Sequence, residues 1–284
     1  MTLPTVRFDA AAREMLQRGG IRGSDLHVHS SRSDALTRPD ELVRCARQRG
    51  IQIAVADHNV IEGAVEAWEA AGDEAFERVV PAIEITTVER CHLLAYFRHP
   101  DDLTDFFDQV LRPARRLRAQ PTTPMDISVV DLLRAAGRWD CLTSAAHPYA
   151  AVFNGVMSAR ARYGLGEKDL FRLHAVEVCN GAENARNNGR SMELARRLGK
   201  AATAGSDAHM ASEVGTVLLA TPADVDLFLA IRRRTAVVID GTRGRLMTLL
   251  GHSAKLPFHV QRPVNRMREV AREVRRNGRW RFKR

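Results

Sequence analysis

The stretch Ser24-Asp25-Leu26-His27-Val28-His29-Ser30-Ser31-Arg32-Ser33-Asp34 restricts the fold of this chain more than any other. Leu26 and Val28 alternate with His27 and His29, the period-two pattern of a strand, so both imidazoles project from one face. Two histidines at i and i+2 on a strand converge on one point, which suits a transition metal. A polar turn follows and ends on a carboxylate, Asp34. His-X-His also arises on ordinary surface strands, so the pattern gains weight only from its surroundings. The chain supplies them: it keeps returning His, Asp and Glu to the ends of apolar strands.

A chain of 284 residues, 45% of them hydrophobic, can form one large α/β domain or two small ones with a sizeable core. No run of about eighteen apolar residues occurs, which argues against a transmembrane helix. Residues 1–22 carry Asp9, Arg13, Glu14 and Arg18 where a signal peptide needs an apolar core. A cytoplasmic protein without membrane association is expected. Cys45, Cys91, Cys141 and Cys179 form no Cys-X-X-Cys pair and are expected to be reduced and structural. The net charge of +9 is local: Gln261–Arg284 holds ten Lys and Arg against two Glu, and the remainder is close to neutral. The basic character belongs to a tail.

Along the chain, residues 1–23 form an N-terminal segment with an amphipathic helix expected over 5–20. A strand over about 24–30 is followed by a helix that Pro39 opens and Gly50 closes. The apolar run Ile51–Ala56 ends on Asp57-His58-Asn59, a helix over about 61–71 follows, and Val79–Ile85 carries Glu84 near its end. Cys91–Phe97, with His92 at its start, reads as the neighbouring strand. Two helices over about 101–118 and 126–137 then succeed each other without a strand between them, so about 98–140 reads as a helical insertion. Strands return at Cys141–Ala146, ending on His147-Pro148, at Ala175–Cys179, ending on Asn180, and at Ala201–Ala204, ending on Gly205-Ser206-Asp207-Ala208-His209. A loop is expected over about 150–168, a helix over 183–198, and a strand, a helix and a last strand over 216–239. Short apolar strands alternating with helices argue for a parallel sheet whose working residues sit at the strand ends.

Those strand ends collect His27, His29, Asp34, His58, Glu84, His92, His147, Asp207 and His209, including six of the ten histidines. The series Asp-Leu-His-Val-His-Ser…Ser-Asp (25–34), Ala-Asp-His (56–58), Ile-Glu-Ile (83–85), His-Leu-Leu-Ala-Tyr (92–96), Ala-His-Pro (146–148), Glu-Val-Cys-Asn (177–180) and Gly-Ser-Asp-Ala-His (205–209) resembles the PHP (polymerase and histidinol phosphatase) family, and within it the TrpH-type metal-dependent phosphoesterases. The motifs stand in family order across about two thirds of the chain. The resemblance implies an α/β fold, a distorted (β/α)7 barrel over 24–241, extended here by the insertion and by a basic C-terminal segment, 242–284. It also implies two or three divalent metals, Mn, Zn or Fe. His27, His29, Glu84 and Asp207 would hold the first, Glu84 with His92 and His147 the second, and Asp34, His58 and His209 a third, giving a trinuclear site. Catalysis would rest on Glu84, Asp207 and His209.

The ligand types explain the chemistry. A phosphoester repels an incoming hydroxide, and cations neutralise that charge, orient the ester and lower the pKa of a bound water. A hydroxide at the bridging carboxylate Glu84 is the expected nucleophile, acting on a small phosphorylated substrate such as a phosphorylated nucleotide or nucleotide end. Arg32, Arg160, Arg162 and Lys168 are candidate phosphate contacts, although each also reads as an ordinary surface cation. Asp57 is expected to orient a ligand without binding metal itself. Asn180 either contacts substrate or caps the next helix. His99, His174, His252 and His259 lie off the strand ends and read as structural.

Two other readings remain on the sequence alone. Metal amidohydrolases on related barrels commonly bridge their metals with a modified lysine, and no lysine falls on a candidate strand here. A nucleic-acid-binding or nuclease-type protein could use Arg262, Arg266, Arg268, Arg272, Arg275, Arg276 and Arg279 of the tail to grip phosphates.

Overall fold

The computed structural model describes residues 5–7, 20–116, 120–150 and 155–240. The basic segment 242–284 and most of the N-terminal segment lie outside the described residues. Thr5–Arg7, at the start of the expected helix, is instead a strand, β1.

The strand sequence continues as β2 (Ile21–Val28), β3 (Gln52–Val55), β4 (Val79–Thr86), β5 (His92–Tyr96), β6 (Leu142–Ala145), β7 (Ala175–Asn180), β8 (Ala201–Gly205), β9 (Val217–Pro222) and β10 (Val237–Asp240). They form one sheet in the order β1-β10-β9-β2-β3-β4-β5-β6-β7-β8. Beyond β8 the chain returns to β2: Asp207 N donates to His27 O at 2.8 Å and His29 N to Ala208 O at 2.9 Å. Strands β2 to β8 thereby make a nearly closed, distorted barrel. Closure depends on Gly205, where a Cβ would lie 2.4 Å from the Cβ of His27.

Pairs β2–β3, β3–β4, β6–β7 and β7–β8 are parallel, as the βα alternation predicts. Strand β5 is antiparallel to both of its neighbours. The link from Thr87 to Cys91 is too short for a crossover and makes a tight return, with Arg90 in the left-handed region at φ 60°. The reversal has a consequence for the site. Thr86 at the end of β4 faces His92 at the start of β5, so a residue that begins a strand still reaches the carboxyl end of the barrel.

Helices α1 (Pro39–Arg49), α2 (Glu62–Ala71), α3 (Pro100–Phe106), α4 (Val129–Ala136), α5 (Val156–Tyr163), α6 (Ala185–Leu198) and α7 (Leu227–Arg233) cover the sheet. Helix α1 begins at the expected proline and ends on Gly50 in the left-handed region, φ 63°. In the insertion, α3 continues through a π-turn, Phe107–Leu111, and ends at Ala114, short of the expected 118. The expected loop 150–168 contains α5, whose Val156 and Ala159 are buried and whose end is set by Gly164 at φ 72°. One apolar core joins Leu42, Val43, Ala64, Ala67, Leu103, Phe106 and Leu132 of the helices to Ile53, Val55, Ile83, Leu93 and Ala95 of the strands. The alternate strand residues, Ala54, Val80, Ala82, Leu94, Tyr96 and Leu142, form a second core. The strand alternation that places Val80 and Ala82 in that second core carries Glu84 to the same face, and Leu94 and Tyr96 share theirs with His92.

Candidate metal centre

All nine strand-end residues meet at the carboxyl end of the barrel. Four sets of potential ligand atoms lie within 4.8 Å of one another: His27, His29 and Asp207; His29, His58 and Glu84; His29, Asp34 and His209; and Glu84, His92 and His147. Glu84 is wholly buried and sits at the middle of the group. Its Oε1 lies 3.0 Å from His147 Nε2, 3.1 Å from His92 Nδ1 and 3.5 Å from His27 Nε2, while Oε2 lies 2.8 Å from His58 Nδ1 and 3.5 Å from His29 Nε2. Asp34 faces His209 Nε2 at 3.4 Å, His58 Nε2 at 3.5 Å and His29 Nδ1 at 3.6 Å.

The backbone holds two of these side chains in an unusual conformation. His147 and Asp207 have φ of 25° and 52°, and Asn59, beside His58, has 54°. Non-glycine residues enter this region at a cost and collect where the chain must aim a functional side chain.

Neighbouring groups orient the ring. Glu177 accepts from His27 Nδ1 at 2.9 Å, turning Nε2 inward to within 3.1 Å of His29 Nε2, and its other oxygen accepts from His147 N at 2.7 Å. Asn180 donates to Glu177 at 3.0 Å and toward Asp207 at 3.4 Å. Asn180 therefore braces two carboxylates, while Asn184 caps the next helix. Asp25 accepts from Ser206 N and Oγ and from Gly215 N, pinning the loop that carries Asp207 and His209. Asp57 accepts from Ser30 N at 2.7 Å, Ser30 Oγ at 2.6 Å and Ser33 Oγ at 2.5 Å, so what it orients is the turn that presents Asp34. Gly63 leaves room for that carboxylate, since a Cβ there would lie 1.9 Å from Asp57 Oδ2.

Glu177 and Asp25 lie inside the quoted motifs, yet the sequence assigned them no role. Their signal is a carboxylate inside a run of small or apolar strand residues, a position that is costly unless the charge is partnered.

The electrostatics match a site built for cations. Burial disfavours charge on His27, but Glu177, Asp207 and Glu84 outweigh it and hold its pKa well above the usual imidazole range. His58 is likewise buried, yet Glu84 and Asp34 raise it to about 10. Burial and the neighbouring His209 push His29 down to about 3, and burial pushes His92 down to about 4. Burial acts to raise Glu84, but His58, His92 and His27 hold it well below the ordinary carboxylate value. Protons thus occupy some imidazoles of the metal-free group where cations could stand. Buried His29 Nδ1, Asp34 Oδ2, His58 Nδ1, Glu84 Oε2, His92 Nδ1 and His147 Nδ1 have no well-directed hydrogen bond. Buried groups in that condition cost about 1–3 kcal/mol each, and a coordinated ion removes the cost. The donor set of imidazole and carboxylate fits Mn, Zn or Fe.

The remaining candidates separate from this centre. Arg32 pairs with Glu66 at 2.7 Å, and Arg160 with Glu167 at 3.4 Å, as surface cations do. His99 Nδ1 caps α3 and His174 Nδ1 accepts from Thr143 N, both structural uses. His252 and His259 lie outside the described residues. The four cysteines are free thiols, and burial raises Cys91 and Cys141 to about 12.

Comparison with known proteins agrees with this geometry. The PHP domain model matches residues 25–107, and a PHP-associated model matches residues 185–236. A putative metal-dependent phosphoesterase from Bifidobacterium adolescentis superposes with a TM-score of 0.52 at 20% identity, covering 75% of this chain and 96% of that one. Endonuclease Q from Pyrococcus furiosus superposes with a TM-score of 0.59 at 16% identity, over 77% of this chain and 57% of the other. A 5'-3' exoribonuclease from Haemophilus influenzae is 41% identical over 64 residues, which span 22% of this chain and only 23% of the exoribonuclease. The PHP domain match covers residues 25–107, the stretch that bears His27, His29, Asp34, His58, Glu84 and His92.

Proposed function

We propose that this protein is a metal-dependent phosphoric ester hydrolase whose centre is the ring of nine residues around Glu84. One observation carries the reading: a fully buried carboxylate is shared between the sets His29–His58–Glu84 and Glu84–His92–His147. Glu84 would serve ions held by both of those sets, and the His27–His29–Asp207 and His29–Asp34–His209 sets extend the group of residues that would hold them. Divalent cations held there supply charge neutralisation for the ester and a water of lowered pKa. The chain's own contribution is orientation. Glu177 fixes His27, Asp57 fixes the turn of Asp34, and Asp25 fixes the loop of Asp207 and His209.

The substrate we favour is a phosphorylated nucleotide or the phosphorylated end of a nucleic acid. The likeness of a 64-residue stretch to a 5'-3' exoribonuclease supports it. So does the fold shared with endonuclease Q, one structure of which holds a duplex with an abasic lesion at its active site. In this reading the basic segment 242–284 adds sequence-independent grip on a polynucleotide, and the insertion over about 98–140 shapes the pocket. Free thiols suit a reducing, cytoplasmic setting. Among the described residues no helix is long and apolar enough to cross a membrane.

The test is hydrolysis of a panel of nucleoside monophosphates, nucleoside bisphosphates and 5'-phosphorylated oligonucleotides with added Mn. Wild type is compared with Glu84→Gln, Asp207→Asn and a chain truncated at residue 241. Loss of turnover in both point variants, with truncation weakening only the oligonucleotide reaction, is expected. Binding of metal without hydrolysis of any ester would shift the reading to a binding protein.

A further inference from the structure

Asn59 follows His58 at the end of β3, is only 2% exposed, and uses every polar atom of its side chain. Its Oδ1 accepts from Thr86 N at 2.8 Å, and its Nδ2 donates to Pro121 O at 2.6 Å and Thr123 O at 3.0 Å. Its own N–H donates to Glu84 O at 2.9 Å, and its φ of 54° turns the chain so that all four bonds form together. Thr86 O in turn accepts from Met125 N at 2.8 Å. One buried amide therefore joins three parts: the strand end that bears His58, the strand that bears Glu84, and a proline-flanked piece of the insertion.

We infer that Asn59 is a positioning residue that fixes residues 120–125 as a wall beside the metal centre, and that this wall selects substrates by the size of the group attached to the phosphate. The physical basis is the direction of the bonds. Two backbone carbonyls of the segment accept from one amide NH2, and among the described residues no other hydrogen bond from the β3 end holds the segment there. The segment is bonded to the residue that follows His58 and, through Met125 N, to Thr86 O at the β4–β5 edge, where Thr86 faces His92. In this inference it is the remainder of the ester, and not the phosphoryl group, that meets the wall. The size-selection half of this inference rests on the phosphoesterase reading, whereas the clamp itself does not.

Asn59→Asp isolates the wall. The carboxylate keeps an acceptor for Thr86 N but turns an oxygen toward two carbonyls in place of a donor. Asn59→Gly accepts the positive φ without strain and removes both halves of the clamp. The experiment measures amide hydrogen exchange of the full-length protein with and without Mn, and kcat/KM for a nucleotide-sized ester relative to a minimal aryl phosphate. In both variants Met125 and its neighbours should exchange faster. The amides of β4 in Asn59→Asp should stay protected. The large-to-small ratio should change by roughly fivefold or more, the worth of a hydrogen bond or two. Unchanged exchange over 120–127 overturns the clamp, and a ratio that moves by less than that overturns the size selection. If wild type hydrolyses no ester, the enzymatic reading fails while the exchange result still decides the clamp.

Discussion

At the carboxyl rim of the barrel six imidazoles, Glu84 and Asp207 are 7% exposed or less, whereas the insertion against its flank buries Leu103, Phe106, Phe107, Leu111, Val129 and Leu132. The insertion follows the usual economy of folding: apolar area leaves water, and charged pairs such as Asp108–Arg112 stay on the surface. The rim breaks that rule at every position. Its charges are buried, several of its polar atoms lack a directed partner, and two of its backbones sit at positive φ. Such an arrangement costs stability in the metal-free chain and is rational only if something else completes it. Each region is therefore sensitive to a different change: the insertion to volume, the rim to charge and lone pairs.

The sharpest break comes from Glu84→Gln. Removing the shared charge should lower phosphoester hydrolysis by about a thousandfold or more, read as kcat at saturating metal. A variant retaining most of its turnover would dissolve the distinction between the regions. Next, Phe106→Ala in the insertion should cost about 3–5 kcal/mol in denaturant unfolding, because Phe106 packs between Phe97 and Trp139 with ring centroids 5.2 Å away in each case. Its metal stoichiometry should match that of wild type.

Glu177→Gln probes the rim without touching a candidate ligand. Metal affinity should weaken about 10–100-fold, since the amide no longer holds His27 in one tautomer. Equilibrium dialysis measures it directly.

The pH response should also divide the two regions. His58, raised from 6.5 to about 10, is protonated at neutral pH in the metal-free chain, so metal must displace that proton. Affinity should therefore rise up to about tenfold per pH unit for each displaced proton between neutrality and pH 10, seen by calorimetry in buffers of different ionisation enthalpy. By the same sign, the raised pKa stabilises the metal-free fold fully below 6.5, and that contribution is lost as pH climbs through about 10. The smallest effect belongs to Arg112→Ala, whose exposed pair with Asp108 should be worth about 0.5 kcal/mol or less.

Much of the rim was legible because its signals are local. His27 with His29, Ala-Asp-His, and Ser-Asp-Ala-His each mark the end of one strand, and each strand end does reach the rim. What stayed hidden depends on partners far along the chain. Glu177 and Asp25 act through a backbone N–H or a ring nitrogen, and no spacing announces such contacts. The direction of β5 does not show in a five-residue apolar run, although the brevity of the link from Thr87 to Cys91 excluded a parallel crossover. Helix α5 escaped notice because the arginines and glycines around it read as a loop, while its burial rests on little more than Val156 and Ala159. Asn59 carried no motif signal; only its three side-chain bonds give it away.

The buried ring around Glu84 offers ligand sets suited to divalent cations. The direct measurement is metal content per chain, by elemental analysis after reconstitution with Mn, Zn or Fe(II), for wild type and Glu84→Gln. Two or three ions are expected in wild type and at least one fewer in the variant. A wild-type chain that remains folded and binds no metal would contradict that expectation.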